Sequence, residues 1–294
     1  RFMLTVPEKK MLLLATDPDC DRLGIAVRQA DPDTGAVSYR LLTGNEIGIV
    51  LLDFLCANRP LPKHPIAMKT IVSSKLAEKV AAHYGVESRD VLTGFKFIGE
   101  QIGLLEQEGH EGRFLFGFEE SYGFLSGTHV RDKDAVNAAM LICEAAALEK
   151  SRGLTLADRI DAIYRTFGYY KNDLMEMAFE GPSGMEEMDG IMAALRARAP
   201  KEIGGRRVVE VADYKTSQRR VLGHTSAMAA GYRPIKLPKS DVIEYMLEDG
   251  SSVIVRPSGT EPKLKIYLSA KGDTEAAALA AISDLRAGLG GFGG

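Results

Sequence analysis

MLLLATDPDCDRLGIAV, residues 11–27, places Asp17, Asp19 and Asp21 within five positions between two apolar runs rich in strand formers. The flanking runs read as strands, so the acidic stretch lies between them. Like charges within about 5 Å repel by a few kcal/mol per pair at an effective dielectric near 20, so a bare cluster is costly. Alternate residues of an extended loop face the same side, and all-oxygen ligation is what hard cations such as Mg²⁺ or Ca²⁺ prefer. A solvated acidic turn is the competing reading. An EF-hand loop beginning at Asp17 would need Gly at its sixth position and Glu at its twelfth, and this chain has Arg22 and Arg28 there. A phosphatase loop of the DxDx(T/V) type is missed because Asp21 stands at the Thr/Val position. Arg22 sets a cation beside the acidic loop, which suits a phosphate held between metal and guanidinium; a plain ion pair with an aspartate is the alternative.

Working outward, DPDTG at 31–35 is a turn signal before a third run, VSYRLL, so residues 1–41 read as strands and turns. GNEIGIVLLDFLCAN and SKLAEKVAAHYGV have helical spacing, the second with a serine start and a glycine stop, and AMKTIVSS between them reads as a strand. RFLFGFEES reads as a strand entering a loop. DAVNAAMLICEAAALEKSRG reads as a helix with Asp134 as N-cap and Gly153 as its stop. Residues 42–168 thus form one α/β domain. From 169 onward a turn and amphipathic helix (GPSGMEEMDGIMAALRARAP), three strands (RRVVEVADY, SSVIVRPSG, KLKIYLSA) and a closing helix predict an α+β domain with an antiparallel sheet, and GLGGFGG reads as a disordered tail.

The chain has 294 residues, 45% of them hydrophobic and 26% charged, with a formal net charge of −3. That composition fits a globular protein of two or three domains, and it offers no basic excess for a nucleic acid or an anionic membrane. The apolar runs fall short of the ~20 residues that span a bilayer, and no signal peptide opens the chain. Cys20, Cys56 and Cys143 are odd in number and lack a CxxC pair. They suggest neither a disulfide framework nor a zinc site, and fit a reducing cytoplasm.

Two further constellations carry chemistry. In VRPSGTEPKLKIY (255–267), Arg256 offers a planar fork of donors, Ser258 and Thr260 offer hydroxyls, Gly259 permits close backbone approach to an anion, and Lys263 and Lys265 share a face. This is a phosphate cradle, with a plain hairpin turn as the alternative. In FGFEESYGF (116–124), Glu119 and Ser121 are suited to vicinal sugar hydroxyls. In THVRDKDAV, His129, Arg131 and Lys133 put cations just before a helix. A further loop, LTGFKFIGE, offers Lys96 among aromatics, which otherwise reads as a lysine snorkelling over apolar surface.

In this order these pieces resemble the α-D-phosphohexomutase superfamily, most closely its phosphoglucomutase and phosphopentomutase branch, over nearly the whole chain. DPDCDR resembles the family's metal loop, GFEES its sugar-recognition loop and RPSGTEP its C-terminal phosphate loop, while HVRDKD and TGFKF are similar to further active-site stretches. The resemblance implies an isomerase of glucose metabolism, a cleft between four domains, and a phosphoserine exchanging its phosphoryl group with the sugar through glucose 1,6-bisphosphate. It also implies that Asp17, Asp19 and Asp21 hold Mg²⁺ and that Arg22 contacts the transferring group. Glu119, Ser121, Lys96 and Arg131 would bind substrate, and Arg256, Ser258, Gly259, Thr260 and Lys263 would clamp the other phosphate. His129 and Lys133 are the candidates for proton transfer or charge stabilisation.

The sequence departs from the family in one respect. The family's nucleophile lies in a Ser-His pair, and none of the five histidines, His64, His83, His110, His129 and His224, follows a serine. Only sixteen residues precede the acidic loop, where the family has about one and a half domains. The expectation is a remnant of a second mutase domain (1–41), a complete α/β third domain (42–168) and an α+β phosphate-binding C-terminal domain (169–294). It would lack the phosphoserine domain and be inactive without those N-terminal domains. Phosphopentose or phosphomannose specificity, or a non-catalytic phosphosugar-binding protein, are the alternatives.

Overall fold

The computed structural model describes residues 11–31, 33–179, 181, 183–222, 231–259 and 261–290. It forms two compact units, Arg1–Phe167 and Gly168–Gly294. The first opens with an antiparallel meander of β1 (Leu12–Thr16), β2 (Leu23–Ala30) and β3 (Val37–Leu42). Asp31 makes the β2–β3 turn by accepting the N–H groups of Asp33 and Thr34 at 3.0 and 2.8 Å, with Gly35 at φ +69°.

α1 (Gly44–Asn58) begins with a capping box between Thr43 and Glu46 and is buried almost all round, so it runs through the interior of this unit. After it come β4 (Ile66–Thr70), α2 (Leu76–His83), β5 (Glu87–Val91), α3 (Phe95–Gln107), β6 (Phe114–Glu119), β7 (Gly123–Ser126), α4 (Ala135–Ser151) and α5 (Leu156–Phe167). The sheet order is β5-β4-β6-β7, with the first three parallel and β7 antiparallel to β6. In such sheets ligands gather outside the carboxyl ends of the strands. Here those ends are Thr70, Val91 and Glu119.

The second unit comprises β8 (Tyr169–Ala178), α6 (Gly184–Ala197), β9 (Glu202–Ile203), β10 (Arg206–Asp213), β11 (Gln218–Val221), β12 (Tyr232–Pro234), β13 (Ile243–Leu247), β14 (Ser252–Pro257), β15 (Lys263–Gly272) and α7 (Glu275–Gly288). Its antiparallel sheet runs β12-β11-β10-β13-β14-β15-β8, with β9 beside β10. Period two is visible in β15, where Leu264, Ile266, Leu268 and Ala270 are buried between half-buried neighbours. They join Tyr245, Val253 and Val255 in a core with Met188 and Met192 of α6 and Ala281 and Leu285 of α7.

Three local expectations are corrected. LTGFKFIGE is a helix from Phe95 onward, because Gly94 takes φ +119° at its N-cap and the apolar positions Phe95, Ile98 and Ile102 pack inward. The helix after AMKTIVSS starts at Leu76, and Ser74 serves by accepting the Leu76 N–H at 3.4 Å. α7 extends to Gly288 and Leu289 is 2% exposed, so the first part of the expected tail is packed; residues 291–294 lie outside the described residues. Polar β5, ESRDV, escaped the pattern because it is an edge strand with mostly exposed side chains. No helix of the described residues is long and apolar enough to cross a membrane.

Buried Asp53 joins three helices' worth of structure, accepting from Arg159 Nε at 2.7 Å and Tyr84 Oη at 3.0 Å. Asp53→Ala leaves both donors without their acceptor. Urea unfolding should show a loss of about 3 kcal/mol relative to the parent chain.

Candidate functional site

The acidic loop connects β1 to β2. Asp17 Oδ1 accepts the N–H groups of Asp21 and Arg22 at 3.1 and 2.9 Å, and Cys20 turns the chain at φ +59°. The Arg22 N–H, foremost, holds the Asp17 carboxyl below its ordinary value. This turn gathers one oxygen from each of Asp17, Asp19 and Asp21 to within 4.8 Å of one another. Asp21 Oδ1 is buried and accepts no hydrogen bond. An all-carboxylate set with an orphaned acceptor fits a hard divalent cation such as Mg²⁺. Arg22 Nε lies 3.8 Å from Asp17 Oδ2 and 3.6 Å from Asp21 Oδ1, with half of the side chain exposed.

Backbone contacts fasten this loop to the β6–β7 turn and to the start of α4. Arg22 bridges Gly123, Leu23 N–H donates to Tyr122 O at 3.0 Å, and Ala135 N–H donates to Cys20 O at 3.2 Å. The turn carries Glu120, half-buried Ser121 and Tyr122, the last at φ +70°, a left-handed conformation that is costly for an aromatic residue. It is over-determined by its surroundings. A Cβ on Gly44 at the start of α1 would lie 2.1 Å from Glu120 O and 2.8 Å from Tyr122 N, so only glycine lets the helix come this close. Glu120 accepts from Thr70 Oγ1 at 3.1 Å and Ser73 Oγ at 3.4 Å, which makes it a strut of the turn.

Glu119 ends β6, is 5% exposed, and accepts the Gly94 N–H at 3.0 Å. Burial, reinforced by the charge of Glu120, pushes its carboxyl above the ordinary value despite Lys133 and Arg22 nearby. Lys96 stands in the first turn of α3, two residues beyond Gly94, with Nζ 5.0 Å from the Phe97 ring centroid.

The segment 129–134 lies against both loops. Lys133 Nζ is 2.9 Å from Asp21 Oδ2 and 2.9 Å from Asp132 Oδ1, and 5.6 Å from the Phe95 ring centroid. Burial pushes its amine down, but the bonds to Asp132 and Asp21 outweigh that, so its net shift is upward and it stays protonated. His129 Nε2 pairs with Asp134 Oδ2 at 2.9 Å, while Asp134 Oδ1 caps α4 through the Asn137 N–H, also at 2.9 Å. A carboxylate fixed by a helix terminus thereby orients the ring of an exposed histidine. Arg131 pairs with Glu106 of α3 at 2.7 Å and donates to Thr128 O, tying this segment to α3.

In the second unit, Arg256 of β14 lies opposite Lys265 of β15, which lies opposite Glu176 of β8. Ser258 N–H donates to Lys263 O at 2.7 Å, which places Ser258, Arg256, Lys263 and Lys265 along one face of the sheet. Lys263 Nζ is 3.0 Å from Glu261 and Lys265 Nζ 3.5 Å from Glu176. Arg256 and Lys265 are directly opposed cations, and the carboxylate of Glu176 offsets part of their repulsion. Gly259 is exposed beside this row of cations, and Thr260 lies outside the described residues.

Thus Asp17, Asp19, Asp21, Arg22, Glu119, Ser121 and Lys133 come together in the first unit, and Arg256, Ser258, Gly259 and Lys263 in the second. Sequence reasoning missed Asp132, Gly94, Gly44 and the strained Tyr122. For Asp132 the adjacent Lys133 was a signal; the other three act through backbone geometry, which residue type barely marks.

Because Glu119 binds its proton more tightly folded than unfolded, stability is full below the ordinary carboxylate value and falls as pH rises past it. Glu119→Gln keeps an acceptor for Gly94 and removes that decline. Melting temperatures from about pH 4 to pH 7 should coincide with the parent chain in acid and exceed it near neutrality.

Two family models match the chain: phosphoglucomutase/phosphomannomutase alpha/beta/alpha domain III over residues 43–167, and the phosphoglucomutase/phosphomannomutase C-terminal domain over 180–284. The acidic loop precedes both matched regions. The phosphoglucomutase of Staphylococcus aureus strain MRSA252 is 41% identical over 260 residues, which cover 88% of this chain and 45% of that protein. A solved phosphoglucomutase, parafusin of Paramecium, has a similar fold (19% identity, TM-score 0.63, 97% of this chain and 45% of that one). So has a family protein of Burkholderia thailandensis (13% identity, TM-score 0.56, 96% and 46%). The chain therefore spans about half the length of the relatives it matches. With two successive domains of one family in their proper order, over compact units that have that family's fold, the chain belongs to the phosphoglucomutase/phosphomannomutase family of the α-D-phosphohexomutase superfamily.

Proposed function

We propose that this chain is the C-terminal part of a Mg²⁺-dependent phosphoglucomutase of the cytoplasm that interconverts glucose 1-phosphate and glucose 6-phosphate through glucose 1,6-bisphosphate. The observation that carries the reading is the joining of an all-carboxylate triad to the buried carboxyl of Glu119 through one cluster: Asp21, Lys133, Gly123 and Glu119. Asp17, Asp19 and Asp21 would hold Mg²⁺, which when bound supplies positive charge to a phosphoryl group in transfer. Arg22, half exposed beside the triad, is placed to contact the same group.

Glu119 and Ser121 would accept and donate hydrogen bonds at adjacent sugar hydroxyls, and Lys96 and Arg131 would bind the substrate's periphery. His129, its ring oriented by Asp134, and Lys133, a protonated amine, would take or steady the proton and charge of the attacking hydroxyl. Arg256, Ser258, Gly259, Thr260 and Lys263 would clamp the phosphate that is not transferred. Residues 1–41 would be the end of a second mutase domain, 42–168 the third and 169–294 the fourth. The phosphoserine donor would come from preceding domains of the same protein, since none of these 294 residues forms the family's Ser-His pair. That absence favours, as a second reading, a phosphosugar-binding protein without turnover.

Glucose 1,6-bisphosphate titrated calorimetrically into the chain should bind, and Arg256→Ala should weaken it roughly tenfold or more. Asp19→Asn in the absence of Mg²⁺ should leave that affinity within about twofold. The purified chain should not convert glucose 1-phosphate to glucose 6-phosphate; turnover by a preparation free of host enzyme would sink the assignment of the donor to other domains. With those domains present, rates on glucose, mannose and ribose 1-phosphates should rank glucose first, and a higher rate on either alternative would replace the specificity proposed.

A further inference from the structure

Lys133 is shared by two carboxylates in unlike surroundings. Its ammonium is 2.9 Å from Asp21 Oδ2, within the triad, and 2.9 Å from Asp132 Oδ1, whose side chain is 69% exposed. The stem is held in place: a Cβ on Gly123 would fall 2.3 Å from Lys133 Cδ and 2.7 Å from Cγ, and the ammonium lies over the Phe95 ring. Only the end of the side chain is left to move between the two acceptors.

A divalent cation and the Lys133 ammonium compete for the charge of Asp21, since like charges about 5 Å apart repel. Leaving Asp21 would strand a mostly buried ammonium, whose side chain is 12% exposed, unless another acceptor stood ready. Asp132 is already in contact. We infer that Lys133 is the built-in counter-ion of the aspartate triad, and that Asp132 is the positioning residue that takes the ammonium over when a divalent cation binds. The inference rests on the reading of the triad as a cation site and adds to it how entry of the cation is regulated.

The test is Mn²⁺ titration of the 294-residue chain, free Mn²⁺ being read by electron paramagnetic resonance, with circular-dichroism melts to confirm that each variant is folded. Lys133→Gln should raise the affinity roughly tenfold by removing the competing charge. Asp132→Asn should lower it roughly threefold, because Lys133 then stays on Asp21. The double variant should match Lys133→Gln alone, since Asp132 acts only through the lysine. A persistent effect of Asp132→Asn in the Lys133→Gln background would make Asp132 a distant charge and overturn the handover. So would unchanged affinity in Lys133→Gln. Asp19→Asn separates the two readings, because it removes a triad oxygen without touching Lys133. If Asp19→Asn abolishes binding while Lys133→Gln changes nothing, the cation site stands and the handover falls. If neither the parent chain nor Lys133→Gln takes Mn²⁺, both readings fall together.

Discussion

The first unit depends on how closely two loops approach at Gly123. Arg22 bridges its backbone, the Leu23 N–H reaches Tyr122 O at 3.0 Å, and the Lys133 stem occupies the space that a side chain on residue 123 would need. Through these contacts a short meander and an α/β sheet become one body, and a carboxylate loop is set beside the β6–β7 turn. Backbone hydrogen bonds fix such a junction because their donors and acceptors must be satisfied wherever water is excluded.

Charge follows from that geometry. The approach crowds Asp17, Asp19, Asp21 and Glu119 into a small volume with Arg22 and Lys133, and each carboxylate responds to its own surroundings. Backbone N–H groups hold Asp17 below its ordinary value, whereas burial pushes Glu119 above its own. Neighbouring carboxyls are set apart in this way: Asp17 is held as an anion, and Glu119 is an acceptor whose burial costs stability. The strained Tyr122 and the glycine-only contact at Gly44 are further costs concentrated at the same turn.

The second unit organises its cations by strand register. Arg256, Lys263 and Lys265 share a face because β14 and β15 pair Arg256 with Lys265 and alternate side chains by twos, while the opposite face is filled by Val255, Leu264 and Ile266. The same alternation that builds the core lays out the row of cations.

Much of this was legible in residue order. The turn signal after β2, the Asp134 cap of α4, the helical period of α1, the amphipathic α6 and the alternation of KLKIY all follow from local rules that act over a few residues. So did the clustering of three aspartates, since a five-residue stretch cannot separate them far. Polar β5 and the glycine-started α3 were not legible, because their states are decided by a neighbouring strand and a buried face. By itself the sequence determined which groups were available and which lay on one short loop or strand face. Only tertiary structure decided that Lys133 would reach Asp21, that Glu119 would be buried against the Gly94 N–H, and that Arg131 would be tied to Glu106. Those contacts join segments about 25 to more than 100 positions apart, and burial and packing, not local propensity, bring such segments together.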